Sequence, residues 1–423
     1  MSRYECRVGR IEANITTHRM LSRMGWVATK LYNTALWSAR KTWDETGKIP
    51  SGFDLQKVVL ASNYHSFLPA HTYQHTAHQV GSGFRSWYKL RKKDKTARPP
   101  GFRPKQELSS FLFTEDAFNS TDNTMTLALG QSLKEELSYP HKRLTIRYKW
   151  NTPFPEDGMI KQVEIVPRKG FFEIHAKVLL PEPEWKTEGQ VVAVDLGMRN
   201  PIVSVGEDEQ VSVYKGGAVL ATKRYWNKEK ARVQRAVMER SNNKRKWSKP
   251  LDRMAKKSKR QVKQMVHAMT STFVDCVKRD VKEVVIGDLC GIKKNKDGSG
   301  KKWNKNSSQN WQQFPTRMLV AQLDYKLARH GIRLIEQDER GTSRGRCSIC
   351  GCTERAKIHR KHRGMFLCEN CGTTQNADIN GARNQLARYL HRETKVSTGS
   401  SGCLAQPMVY RWDNHYWSTG VVG

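Results

Sequence analysis

Apolar and polar positions along this chain change rhythm near residue 181. Residues 3–12 alternate weakly, which predicts a strand; 17–47 then turn helical, with Met24, Val27, Leu31 and Ala35 recurring at spacings of three and four. The helical pattern continues from 52 to about 92, until "TARPPGFRPK" (96–105) breaks it. From 107 to 180, "TLALG", "RLTIRYKW", "QVEIVPR" and "FFEIHAKVLL" predict strands bounded by turn residues. "PEPEWKTEGQ" (181–190) reads as a linker between domains.

The second half begins with "VVAVDLG" (191–197), a buried strand ending in Asp195, and "PIVSV" and "VSVYKGG" follow as an antiparallel meander. A long basic helical region occupies 219–280, where Val262, Val266, Met269, Phe273 and Val277 form one apolar stripe. "EVVIGDL" (283–289) predicts a fourth strand, with Gly287 followed by Asp288. "KKNKDGSGKKWNK" (293–305) reads as a mobile basic loop. Pro315 opens another helix, with Leu319, Leu323 and Leu327 on one side and Gly331 placed to end it. "IRLIEQDE" (332–339) predicts a fifth strand, and "NADINGARNQLARYL" (376–390) a final helix with Asp378 in its first turn. Residues 391–423, rich in Ser and Gly at 397–402, read as a flexible tail.

Length and charge narrow the function. A chain of 423 residues has room for two or three domains. Lys and Arg number 74 against 40 Asp and Glu, a formal +34 spread over most of the length. Such a surface suits a polyanion. No 18-residue apolar run and no lipidation signal points to a membrane partner. The N-terminus lacks the apolar region of a signal peptide, so a cytoplasmic, nucleoid-associated protein is expected. Trp87, Tyr88, Arg91, Lys92 and Lys93 set aromatics among cations, a composition suited to base stacking and phosphate contact. An amphipathic helix with aromatics in the core and charges in solvent has the same composition. The basic segments at 223–262, including "NNKRKW" and "KKSKR", are a second candidate wall for nucleic acid.

Four of the nine cysteines form two knuckles, Cys347–Cys350 and Cys368–Cys371, separated by 17 residues. That spacing predicts one structural Zn²⁺ held by four thiolates in a zinc ribbon, with no open coordination position. Gly351 and Gly372 each follow a knuckle, where a tight turn calls for positive φ.

Three strands, a helix, a strand, a helix, a strand and a final helix, with Asp on the first strand and on the last helix, is an RNase H-like order. It places acids at matching ends of neighbouring elements, where they can share two Mg²⁺ ions about 3.5–4 Å apart and serve phosphodiester hydrolysis. Gly287 stands where the strand-four acid would be, and glycine has no side-chain ligand to offer.

The run "AVDLG…VVIGDL…GTSRGRCSICG…CENCG…QNADINGARN" resembles the RuvC and zinc-ribbon half of the TnpB family of RNA-guided nucleases, with its type V CRISPR and Fanzor relatives, over about 190–390. The resemblance implies an α+β multi-domain protein. Residues 1–185 would form a β-barrel (wedge) with a helical recognition insertion at about 15–105. Residues 186–390 would form a RuvC-like α/β domain with the ribbon at about 342–376. It also implies a prokaryotic enzyme, expected to be monomeric, with a guide RNA and double-stranded target DNA as partners. In one branch, which includes TnpB of serine-recombinase insertion sequences, some Fanzors and a compact type V effector, the missing glutamate sits on the next strand. "IEQDERGTS" places Glu339 there, so the implied ligands of two Mg²⁺ are Asp195, Glu339 and Asp378. Glu336 and Asp288 are the rival acids, although alternation points Asp288 away from the face of Gly287. The competing expectation is a nuclease-dead, RNA-guided DNA-binding repressor, since loss of an acid is how such proteins arise.

Overall fold

The computed structural model describes residues 3–242, 248–289, 304–343, 345–360, 364–391, 406–413 and 415–419. The basic loop read at 293–305 and the run "NNKRKW" lie almost wholly outside these residues, as does 392–405 of the tail. The chain divides into two compact units, Met1–Glu182 and Pro183–Gly423.

The first unit opens with β1 (Arg3–Glu12), α1 (Ile15–Thr46), α2 (Gly52–Leu60) and α3 (Ala70–Arg91). Asn14 caps α1 by accepting the Thr17 N–H, and Gly47 ends it at φ 64°. Ser51 and Asp54 form a capping box on α2. The periodic apolar residues of α1, among them Met24, Val27, Leu31 and Ala35, are fully buried. The strands follow as β2 (Phe111–Thr114), β3 (Phe118–Ser120) and β4 (Thr124–Ala128), then α4 (Gln131–Glu136), β5 (Arg143–Trp150), β6 (Met159–Arg168) and β7 (Phe171–Leu180). They form one antiparallel sheet in the order β2-β6-β7-β1-β5-β4-β3. A flat sheet of this order would hold β2 and β3 about 29 Å apart. The turn Glu115–Ala117 that joins them reaches only about 15 Å. The sheet must therefore curl until its two edges approach each other.

The second unit contains β8 (Gln190–Asp195), β9 (Ile202–Gly206), β10 (Val211–Tyr214), α5 (Gly217–Arg240), α6 (Lys249–Val277) and β11 (Val281–Asp288). After these come α7 (Lys305–Gln313), α8 (Thr316–Ala328) and β12 (Arg333–Asp338). Three short strands, β13 (Ile358–His359), β14 (Met365–Cys368) and β15 (Thr374–Asn376), form a separate small sheet. The chain continues as α9 (Ala377–Tyr389), β16 (Met408–Asp413) and β17 (Tyr416–Thr419). The large sheet runs β12-β11-β8-β9-β10-β16-β17. β11 pairs in parallel with both β8 and β12, while β8, β9 and β10 form an antiparallel meander.

The unbroken apolar run of β8 follows from burial on both faces. Val192 and Val194 join Val284, Ile286 and the α6 stripe in one core; Val191, Ala193 and Val285 join Ile379, Ala382 and Leu386 of α9 in another. By the same alternation Asp195 and Gly287 belong to the α9 face. So does Gln337, since Ile335 packs on that core; Glu339, just past β12, has its side chain against Gly287 on the same face. Pro315 precedes α8, and Gly331 adopts φ 68° just beyond its end.

The tail departs from its reading as flexible. β16 pairs in parallel with β10, and β17 folds back on β16. Tyr410 stacks on Tyr214 at 4.4 Å between ring centroids. The Trp417 indole N–H donates to the Met265 carbonyl at 3.0 Å. The Ser/Gly composition at 397–402 does not extend to "MVYRWD", where aromatics find a sheet edge and a core to enter.

Candidate active site and zinc centre

Each acid of interest arrives from a different element on the α9 face of the large sheet. Asp195 ends β8. On the neighbouring strand, Ile286 registers with Val194 and Gly287 with Gln337 of β12. A Cβ built on Gly287 would lie 2.5 Å from Glu339 Oε2 and 2.7 Å from Glu339 Cβ, closer than real contacts allow. The Glu339 side chain therefore fills the space that a side chain at 287 would take. Asp378 lies in the first turn of α9, but Asn376 is the N-cap and accepts the Asp378 N–H at 2.8 Å. The Asp378 carboxylate instead accepts the Asn200 Nδ2–H at 2.7 Å and lies 3.6 Å from Arg360. α9 comes close enough because residue 381 is glycine. A Cβ there would stand 2.9 Å from Asp195 Oδ2.

Acidic charge gathers at this end of the sheet, with Arg360 beside it. Burial first, then the nearby Asp378 and Glu339 charges, hold the Asp195 carboxyl well above the usual carboxylate range, with Arg360 opposing the shift. Such a set of hard oxygen donors suits a divalent cation, which would reverse that shift. Among the described residues the acids are gathered less tightly than the four cysteines, with Asp378 drawn towards Asn200 and Arg360. The two rival acids are exposed: Asp288 and Glu336 both fall on the alternate positions of their strands.

Several residues at this site have roles that the sequence motifs do not state. Asn380 and Asn384 each donate to the carbonyls of Thr342 and Arg346, gripping the loop between Glu339 and the first knuckle. Asn380 Oδ1 also accepts the Ser348 N–H at 2.9 Å. Arg383 is buried between Glu209 and Gln375. The one available hint was the polar density of "NADINGARNQ", too polar for a helix that ends up buried. Asn200 and Arg360 gave no hint, because only folding brings them to Asp378.

The four cysteines converge independently of the acids. All four Sγ atoms lie within 4.8 Å of one another, with Cys347–Cys371 at 3.8 Å and Cys350–Cys368 at 3.6 Å. These separations exceed a disulfide bond of about 2.05 Å. They match the edge of a tetrahedron, about 3.8 Å for a Zn–S bond of about 2.3 Å. Burial pushes the Cys347 thiol up. At Cys350 burial is outweighed by the Cys352 N–H, the Asn370 amide and the neighbouring thiols, and the value falls to about 7. Gly351 at φ 73° and Gly372 at φ 68° make the tight turns after each knuckle. The donor set and its spacing fit zinc.

The aromatic–cation cluster of α3 separates into two roles. Trp87 is buried against Trp43 and Phe84, and its indole N–H donates to the Ala97 carbonyl. Its ring is core, which corrects its assignment to base stacking. Tyr88, Arg91, Lys92 and Lys93 are exposed; Arg91 sits over Trp43 and Trp87, and Lys92 over Tyr88. Among the described residues no helix is long and apolar enough to cross a membrane.

Residues 171–293 match the family model described as a probable transposase (OrfB_IS605), and 317–385 match the Cas12f1-like TNB domain. The chain is similar in fold to a Cas12f1–sgRNA–target DNA complex solved by cryo-EM: TM-score 0.51 at 14% identity, over 88% of this chain and 82% of that one. A CasPhi-2 (Cas12j) complex with crRNA and phosphorothioate DNA aligns at TM-score 0.42 and 11% identity, over 91% of each chain. No curated protein is matched by sequence.

Proposed function

We propose that this chain, a relative of the TnpB-like compact RNA-guided nucleases, is an RNA-guided DNA endonuclease whose third acid is Glu339. The observation that carries the reading is the filled space beside Gly287: the carboxylate missing from β11 is supplied from the end of β12. Alternation supports it, because Asp195 and Gly287 share the α9 face, where Glu339 meets them, while Asp288 and Glu336 fall on the alternate positions.

In this reading Asp195, Glu339 and Asp378 are the ligands of two Mg²⁺ ions. Such cations supply activation of the attacking water and neutralisation of the leaving 3′ oxygen. The chain's own residues do the positioning. Asn200 orients the Asp378 carboxylate through its N–H, and Asn380 and Asn384 fix the loop that carries Glu339. Arg360 stands beside Asp378, where its guanidinium can take a phosphate oxygen. The first unit is read as the wedge and recognition part, the second as the RuvC-like nuclease with its ribbon. Guide RNA and double-stranded target DNA are the partners, held mainly through phosphates by the +34 surface. Of the α3 cluster, Tyr88, Arg91, Lys92 and Lys93 are retained as nucleic-acid contacts.

The test is plasmid cleavage by protein purified with its co-expressed native locus RNA, in Mg²⁺ and in Mn²⁺. Glu339→Ala, Asp195→Ala and Asp378→Ala should each abolish cleavage and leave RNA loading and target binding nearly intact. Wild-type protein that binds guided DNA but never nicks it would overturn the nuclease reading in favour of a repressor, the second reading that Gly287 itself keeps in view. Cleavage that survives Glu339→Ala and is lost with Asp288→Ala would show the third acid to be Asp288.

A further inference from the structure

The niche beside Gly287 is entered from two sides. Glu339 reaches it from just past β12, and Gln385 reaches it from α9, its Nε2 lying 3.1 Å from where a residue-287 Cβ would stand. Gln385 is 0% exposed, yet neither Oε1 nor Nε2 of its side chain has a hydrogen-bond partner. A buried amide in that condition is destabilising, and an apolar side chain of the same shape would serve a core better. Its main chain, by contrast, is firmly held. The Gln385 carbonyl accepts the Gln337 Nε2–H at 2.8 Å, and Gln337 registers directly opposite Gly287. The helix turn is further fixed by Asn384, whose amide grips the loop after Glu339. A rigid backbone therefore presents an uncommitted carboxamide to the niche that Glu339 also enters.

We propose that Gln385 is a positioning residue for Glu339: when a divalent cation binds, its Nε2–H takes up one carboxylate oxygen and leaves the other directed at the cation. The assignment rests on the reading of Glu339 as a cation ligand. Carboxylates that bind metals are normally held by outer hydrogen bonds of this kind. A carboxamide is the side chain that suits this place. It donates a hydrogen bond without adding negative charge to a site where Asp195 is already crowded by Asp378 and Glu339. Nor does it bring a fixed positive charge that would compete with a cation for Glu339, as lysine or arginine would. The same side chain would have little to do in a chain whose residue 287 carried the acid, because that side chain would occupy the niche.

The experiment replaces Gln385 with Met, close in volume and unable to donate. Its readouts are the melting temperature of the metal-free protein and the Mn²⁺ affinity of the RNA-free, zinc-replete protein, followed by EPR, with cleavage measured separately. Asp195→Ala identifies the relevant Mn²⁺ signal. The expected result is a melting temperature unchanged or raised, with Mn²⁺ affinity lowered about 10–100-fold. In a Glu339→Ala background the same substitution should change Mn²⁺ affinity by less than about twofold, since the two residues act as one unit. Wild-type affinity in Gln385→Met, or an effect that adds in full to that of Glu339→Ala, would overturn the proposal. Gln385→Leu guards against a packing fault peculiar to Met, and loss of folding in both variants would show the amide to be a core requirement and likewise overturn it. If wild-type protein shows the Asp195-dependent Mn²⁺ signal yet leaves DNA intact, the nuclease reading fails while the affinity readout still decides the role of Gln385.

Discussion

α6 and α9 pack on opposite faces of one sheet and bury opposite kinds of residue. α6 buries Val262, Met265, Val266, Met269, Phe273 and Val274, with Ser258 and Thr270 its polar exceptions. α9 buries Asn380, Arg383, Asn384 and Gln385 alongside Ile379, Ala382 and Leu386. Buried amides and guanidinium groups cost free energy unless each is hydrogen-bonded, so a helix optimised for stability would resemble α6. The polar face of α9 is explained by what it holds: the loop after Glu339, the first knuckle, and the close approach to Asp195. One face of the sheet builds stability, and the other spends some of it on geometry.

The largest effect should come from the apolar side. Phe273→Ala removes a side chain 1% exposed and should cost about 3–5 kcal/mol of unfolding free energy. Guide loading and cleavage should then fall together, in proportion to the folded fraction seen in urea titrations. On the polar side Asn384→Ala removes donors to Thr342 and Arg346, at 2.7 and 2.9 Å, while Asn380 still holds both carbonyls. A stability loss of about 1–2 kcal/mol is expected. Single-turnover cleavage should fall by an order of magnitude or more beyond that, as misplacement of a reacting group does. Cleavage that merely tracked stability in Asn384→Ala, as in Phe273→Ala, would erase the distinction between the helices.

Gly381→Ala separates the two quantities further. Alanine inside a helix gains about 0.5–1 kcal/mol over glycine. Here its Cβ would press on Asp195 Oδ2 at 2.9 Å and on Ser343 Cβ at 3.3 Å. These effects oppose each other, so the melting temperature should move little while cleavage drops more than about tenfold. A variant with wild-type cleavage would show that Asp195 has room to spare.

The same contrast explains what could be read from the residues alone. The α6 stripe, the doubly buried "VVAVDLG" strand and the paired knuckles are local patterns, each visible at its own period or spacing. Glu339 was legible only through its place in a family-like order, because nothing in "IEQDER" separates it from Glu336 until the strand register is known. Asn200, Arg360 and Gln385 act across gaps of many residues, and no local pattern marks such pairings. The core position of Trp87 is not legible in the sequence, since a basic helix with aromatics looks alike whether its rings face core or solvent. The hairpin after 405 was hidden by the Ser/Gly composition that precedes it.

Lys326 tests whether the apolar side obeys its own rule. It lies on α8, 7% exposed, and donates to the His267 carbonyl, Thr270 and Ser271 at 2.7, 2.7 and 2.8 Å. Among the described residues no carboxylate lies within ion-pair distance of it; Arg329 and His267 are close, and Asp275 attracts it from farther off. Burial first, then Arg329, bring its ammonium down to about 8 from an ordinary 10.5, against the pull of Asp275. Below pH 8 both the folded and unfolded chains carry the proton, and the buried charge weighs on the folded state in full. Between about 8 and 10.5 the folded chain releases a proton that the unfolded chain keeps, so this group adds stability as pH rises. Lys326→Met removes the charge and keeps most of the volume. After allowance for partial solvation it should stabilise the protein by about 1 kcal/mol at pH 7. That advantage should shrink steadily towards pH 10, as read from paired urea titrations in which other titrating groups cancel. A difference that stays constant with pH would mean that the hydrogen bonds, and not the buried charge, set the contribution of Lys326.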